Sequence, residues 1–179
     1  MTDAMTDRRG DCSNFSSSEL NIDKEMFLKI LDRAMNPDVQ HIEVNYHGSP
    51  YKLQKTENGD WIDLYCAEET VLHAGERTYI SQGVSMKLPE GYEAIMAPRS
   101  STFKRWGILQ TNGIGVIDNS YCGNDDIWMF PALATRDITI PEGTRICQFR
   151  IQKKQPDIIF YDVPNLHTKN RNGLGSSGA

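Results

Sequence analysis

An all-β domain preceded by a short helix is what this sequence predicts, and three observations predict it. From residue 40 onward, apolar residues recur at period two in short runs. Those runs are punctuated at regular intervals by Pro, Gly, Asn and Ser, the residues that make turns. One stretch near the N-terminus, residues 22–35, instead carries helical spacing. Many short strands with regular turns build a sandwich or a barrel.

The elements follow in order. Residues 1–20 are polar, Ser-rich and mixed in charge, a composition that forms no core. In IDKEMFLKILDRAM, Met26, Phe27, Ile30, Leu31 and Ala34 share one face, and Pro37 stops the helix. One apolar stripe is expected to pack on the main domain; docking to a partner is the alternative. HIEVNY and YKLQK flank the turn His47-Gly48-Ser49-Pro50 and read as a hairpin. VSMKL (Val84–Leu88) alternates, then Pro89-Glu90-Gly91 turns the chain; ITI and Pro141-Glu142-Gly143 repeat the device. RICQFRI (Arg145–Ile151) and IIFYDV (Ile158–Val163) read as the last strands. The Gly/Ser-rich end KNRNGLGSSGA has no packing value and reads as an arm. The division is therefore 1–36, lead and helix; 37–163, β-rich core; 164–179, arm.

Composition narrows the function classes. With 179 residues, 39% hydrophobic and 24% charged, the chain suits one soluble domain. A net charge of −5 argues against binding nucleic acid or an anionic membrane, which need a basic surface. No apolar run reaches the roughly 18 residues of a membrane span, and no secretory signal is visible. Cys12, Cys66, Cys122 and Cys147 are too scattered for zinc or a disulfide framework and read as reduced thiols of a cytoplasmic protein.

Four stretches are richer in chemistry than a β core requires. APRSSTF puts Arg99, Ser100 and Ser101 at a strand end, where a guanidinium, hydroxyls and turn N–H groups suit phosphate oxygens; a Ser-rich turn is the plainer reading. In QTNGIGVIDNSYCG, Asn112, Gly113 and Gly115 mark a hairpin whose backbone a ligand can approach closely. Asp118 at its base is either a turn-forming aspartate or a functional acid. In GTRICQFR, Gln148 alternates against Cys147 and Phe149, so its amide faces away from the core, toward solvent or an anion. NRNGLGSSG resembles a phosphate loop but lacks the Lys-Ser/Thr ending and the helix of a Walker loop. Its backbone N–H groups and Arg171 suit a phosphate chain; a free tail is the plainer reading.

Together with WIDLYCAEE (Trp61–Glu69), these stretches resemble, in order and spacing, the five motifs of the trimeric dUTP diphosphatases (dUTPases). The wording of GDWIDL, PRSSTFK and GLGSSG is closest to dUTPases of Gram-positive bacteria and their phages. The resemblance covers about residues 40–179. It implies a jelly-roll-like subunit in a homotrimer, with active sites shared between chains and closed by the arm. It implies hydrolysis of dUTP to dUMP and pyrophosphate, limiting uracil in DNA and supplying dUMP.

Residue by residue, the resemblance implies that Asp118 takes a proton from the water that attacks the α-phosphorus. Tyr121 would lie against the deoxyribose and reject a 2′-hydroxyl. Asn112, with backbone at Gly115 and Ile117, would contact the nucleoside, and Ser100, Ser101 and Gln148 the phosphates. Arg171 would meet the γ-phosphate, while Leu174, Gly175 and Ser176 close over the site. Asp63 would brace Arg99. One Mg²⁺ would bridge phosphates, held by substrate oxygens and waters with no direct protein ligand. Many members carry an aromatic at the position of Leu174 to stack on uracil. Trp128 and Phe130 are candidates for that stack, or else ordinary core aromatics.

Two other readings compete with this one. A dCTP deaminase shares APRSS and GVID but needs a glutamate on the strand after the third motif; IWMFPALAT has none, and Asn119-Ser120 replace its Pro-Gly. A non-catalytic nucleotide-binding trimer does not require the acid at 118.

Overall fold

A computed structural model describes residues 24–57 and 59–170. Its elements are α1 (Lys24–Met35), β1 (Glu43–Asn45), β2 (Ile62–Tyr65), β3 (Thr70–Leu72), β4 (Arg77–Ser81), β5 (Ser85–Lys87) and β6 (Tyr92–Pro98). They continue with α2 (Thr102–Trp106), β7 (Ile108–Gln110), β8 (Gly115–Ile117), β9 (Met129–Ala134), β10 (Ile138–Ile140) and β11 (Arg145–Lys153). A four-stranded antiparallel sheet runs β2-β11-β6-β8 and a three-stranded one β4-β9-β7. The pairs β1-β5 and β3-β10 complete the set.

The expected all-β core is present, and its cause is the period-two pattern. Ala94 and Met96 on β6, Phe130, Ala132 and Ala134 on β9, and Cys147 and Phe149 on β11 alternate into one buried cluster. A bulge between Arg145 and Cys147 breaks the alternation, so Ile146 and Cys147 are both buried. The turns at Pro89-Glu90-Gly91 and Pro141-Glu142-Gly143 close as expected, with Gly91 and Gly143 at φ 80° and 72°. Trp128 and Phe130 are core aromatics, 1% and 0% exposed; Trp128 meets Phe149 edge-on at 5.1 Å. Cys147 donates its thiol to Gln82 Oε1 at 3.2 Å. Burial pushes the Cys66 thiol up to about 12, and burial, then Cys66, then Asp63, raises Cys147 well above the usual thiol range.

Four local expectations change. Residues 51–55 form no strand: β1 pairs with β5 (Glu43↔Lys87). Side chains hold the 51–55 segment instead, with Leu53 N–H donating to Tyr46 Oη and Tyr51 stacked on Tyr65 at 5.5 Å. The flanks of the 111–114 turn do not pair with each other: β7 joins β9, and β8 joins β6. The turn therefore links two sheets. Ile158–Val163 forms no ladder and is exposed. The helix forms as expected, but Met26, Phe27, Ile30 and Leu31 remain about half exposed rather than packed. No described helix is long and apolar enough to cross a membrane. Residues 1–23, including Cys12 and the start of the expected helix, lie outside the described residues.

Candidate active site

The first cluster of predicted residues gathers where β6 ends against β11 and β2. Antiparallel pairing sets Gln148 opposite both Asp63 and Ala97. The chain then leaves β6 in a turn nailed to β11: Arg99 N–H and Thr102 Oγ1 both donate to the Ile146 carbonyl, at 3.3 and 2.6 Å. This aims Arg99 at Asp63, and Nε donates to the carboxylate at 2.7 Å. Arg145 Nη1 donates to the other carboxylate oxygen at 3.1 Å. Ser100 is exposed and Ser101 half-buried in the same turn. Gln148 faces away from the core, its Nε2 3.5 Å from the Pro98 carbonyl.

Two guanidiniums carry ten N–H donors against about four lone-pair positions on one carboxylate. The cluster thus keeps surplus donors and a local positive charge in a chain of net charge −5. Arg145 is about half exposed, so its pair adds little stability; what the partly covered Arg99–Asp63 pair supplies is orientation. Arg145 was not singled out from sequence, because the bulge that turns it toward Asp63 has no local signature.

The second cluster lies where β8 ends. Asp118 follows Ile117, and Tyr121 N–H donates to the Asp118 carbonyl at 3.0 Å, closing a turn. Tyr121 Oη donates to the Ile127 carbonyl at 3.2 Å, which fixes the ring. Val116, Ile117, Asp118, Tyr121, Ile127, Trp128 and Met129 line one cavity of about 290 Å³, so Trp128, though almost wholly buried, borders it. Asp118 is the only acid among these linings, and the rest of the wall is mainly apolar. Asn119 anchors the turn from below, its Nδ2 donating to the carbonyls of Leu88 and Pro89 at 2.8 and 2.9 Å. Two larger cavities, of about 380 and 720 Å³, border α1 and β1 and are lined by none of the candidate site residues.

Between these clusters runs the 111–114 turn. Asn112 is exposed on it, and Gln110 Nε2 donates to Asn112 Oδ1 at 2.8 Å. β7 and β8 are each the outer strand of their own sheet, so backbone groups along their edges are open to a planar ligand. Gly115 is buried against β6, where a Cβ would stand 3.1 Å from the Met96 methyl.

The two clusters do not meet within one chain. Ile117 pairs with Ala94, which leaves Asp118 near Glu93, six residues before Arg99 on the same strand line. That separation is about 20 Å along the sheet. Asp63, Arg99, Ser100, Ser101 and Gln148 share one end; Ile117, Asp118 and Tyr121 share the other. Arg171, Leu174, Gly175 and Ser176 lie outside the described residues.

Comparison with known proteins sets these clusters in context. The family model described as dUTPase matches residues 30–178. The SPbeta prophage-derived deoxyuridine 5′-triphosphate nucleotidohydrolase YosS of Bacillus subtilis is 51% identical over 127 residues, covering 71% of this chain and 89% of that protein. A Staphylococcus bacteriophage 80alpha dUTPase, solved with dUPNHPP, superposes with TM-score 0.66 at 20% identity, over 78% of this chain and 99% of that one. A mutant dUTPase of S. aureus phage phi11, solved with a structural Mg(II) ion, gives TM-score 0.61 at 16% identity, over 72% and 99%. At such identities the structural likenesses bear on the fold alone.

Proposed function

The chain belongs to the dUTPase family and is a dUTP diphosphatase, and on that premise we propose that Asp118 is the base of an in-line hydrolysis at the α-phosphorus. Asp118 takes a proton from a water, whose oxygen bonds to the α-phosphorus. The α–β bridging P–O bond breaks, leaving dUMP and pyrophosphate. The observation that carries this assignment is that Asp118 and Tyr121 line one small cavity, the acid beside an apolar wall and a fixed aromatic ring. Tyr121 forms the floor for the deoxyribose, where a 2′-hydroxyl would collide. The uracil lies along the 111–114 turn, met by Asn112 and by backbone at Gly115 and Ile117. Cytosine would leave buried polar groups unpaired there, a cost of about 1–3 kcal/mol for each.

The phosphates belong to the other cluster. Ser100, Ser101, Gln148 and Arg99, braced by Asp63 and Arg145, supply donors to them. Because this cluster stands about 20 Å from Asp118 in its own chain, a complete site takes its acid from one copy and its phosphate donors from another. A homotrimer with three shared sites is the assembly that the family implies. The exposure of Ile159, Phe160 and Tyr161 (75%, 89% and 80%) supports burial against a second copy. The arm then brings Arg171 to the γ-phosphate and lays Leu174, Gly175 and Ser176 over the nucleotide.

Among the described residues, no three His, Cys, Asp or Glu side chains converge as a metal cage. The Mg²⁺ that the family implies would be held by phosphate oxygens and water, and Asp118 and Gln148 are the side chains that would stand beside those phosphates. Bound in that way, the ion would offset charge on the triphosphate. The buried thiols of Cys66 and Cys147 are unpaired, which supports work in the reducing cytoplasm, limiting uracil in DNA and supplying dUMP. Pyrophosphate release with dUTP, UTP, dCTP and dTTP tests the reading: dUTP should be used alone at an appreciable rate, and ammonia from dCTP would overturn it.

A further inference from the structure

Gln110 ends β7 beneath the turn that carries Asn112. Its amide nitrogen lies 3.3 Å from the Met96 carbonyl oxygen and 2.8 Å from Asn112 Oδ1. A backbone carbonyl only accepts, so the atom facing it must be the nitrogen, and this fixes which way the Gln110 amide points. The second N–H of that nitrogen then requires an acceptor at Asn112. The Asn112 amide is thereby set with Oδ1 inward and its N–H₂ turned away from Gln110, on an exposed residue. Room for this arrangement comes from Gly115, whose added Cβ would stand 3.4 Å from Gln110 Nε2 and 3.1 Å from the Met96 methyl. Gln110 Oε1 is buried with no partner among the described residues.

We propose that Gln110 is a specificity-determining positioning residue, which locks the Asn112 carboxamide donor-outward so that the turn accepts a pyrimidine carbonyl and repels an exocyclic amine. The inference rests on the reading that the base lies at Asn112. An unlocked asparagine rotates its amide by half a turn and presents Oδ1, which serves the amine of cytosine as well as Nδ2 serves the O4 of uracil. The asparagine alone therefore does not discriminate; the glutamine behind it does.

The test is a double-mutant cycle on the full chain, reading the affinity ratio for non-hydrolysable α,β-imido analogues of dUTP and dCTP by calorimetry. Gln110→Met should narrow the ratio by about tenfold or more. Asn112→Ala should also narrow it, and adding Gln110→Met to Asn112→Ala should narrow it no further. Gln110→Glu, whose carboxylate only accepts, should draw Nδ2 inward and raise affinity for the dCTP analogue itself. This variant also carries the test if Gln110→Met fails to fold in a thermal melt. A Gln110 variant that weakens both analogues equally, or whose effect persists without Asn112, overturns the lock. An unchanged ratio in Asn112→Ala overturns instead the reading beneath it, that the base is met at Asn112.

Discussion

Asp118 and Arg99 stand at opposite ends of one antiparallel ladder. Ile117 pairs with Ala94 on β6, while Arg99 follows the far end of that strand at Pro98. No side chain spans the roughly 20 Å between them. If both serve one reaction, they serve it from different copies of the chain.

Mixed oligomers test this. Asp118→Asn and Arg99→Ala should each be nearly inactive alone. Co-expressed in equal amounts, they should recover about a quarter of wild-type activity, because random mixing pairs an intact acid with an intact neighbouring arginine at that frequency. A mixture as inactive as its parents would mean that each site is built from a single chain.

The sugar floor has its own readout. Tyr121 lines the cavity, and its hydroxyl is tied to the Ile127 carbonyl at 3.2 Å. Tyr121→Ala should raise the kcat/KM for UTP relative to dUTP by about tenfold. A ratio equal to that of the wild type would remove Tyr121 from sugar discrimination.

The buried thiols predict an alkaline limb of stability. The folded pKa of Cys66, about 12, exceeds the ordinary thiol value of 9.0, so above pH 9 the unfolded chain holds fewer protons than the folded one. Stability is then intact below about pH 9 and falls as pH rises toward 12. Between pH 8 and pH 10, urea unfolding of Cys66→Ala should lose about 1.4 kcal/mol less than that of the wild type. Equal losses would show that the thiol ionises alike in both states.

Much of this was legible in sequence, and what was not has a common cause. Alternation placed Cys147 and Phe149 inward and Gln148 outward, as the structure has them. The Asp63–Arg99 pair was expected and forms at 2.7 Å. Arg145 was missed because a bulge changes the parity of β11 just before Cys147. Asn119 and Gln110 were missed because they bond to backbone carbonyls of Leu88, Pro89 and Met96, and a carbonyl leaves no trace in the residue string. Pro and Gly marked the turns correctly but not which strands pair across them: β1 chose β5, and β7 chose β9. Ile158–Val163 has a strand's composition, and its own chain gives it no ladder.

Pyrophosphate release by Asp118→Asn measures the central assignment most directly. The amide keeps the shape of the side chain but has lost the charge that accepts a proton. Turnover of dUTP should drop by about 10²–10⁴-fold, while a non-hydrolysable analogue binds with nearly unchanged affinity. Turnover close to that of the wild type, with the same affinity, would place the base elsewhere.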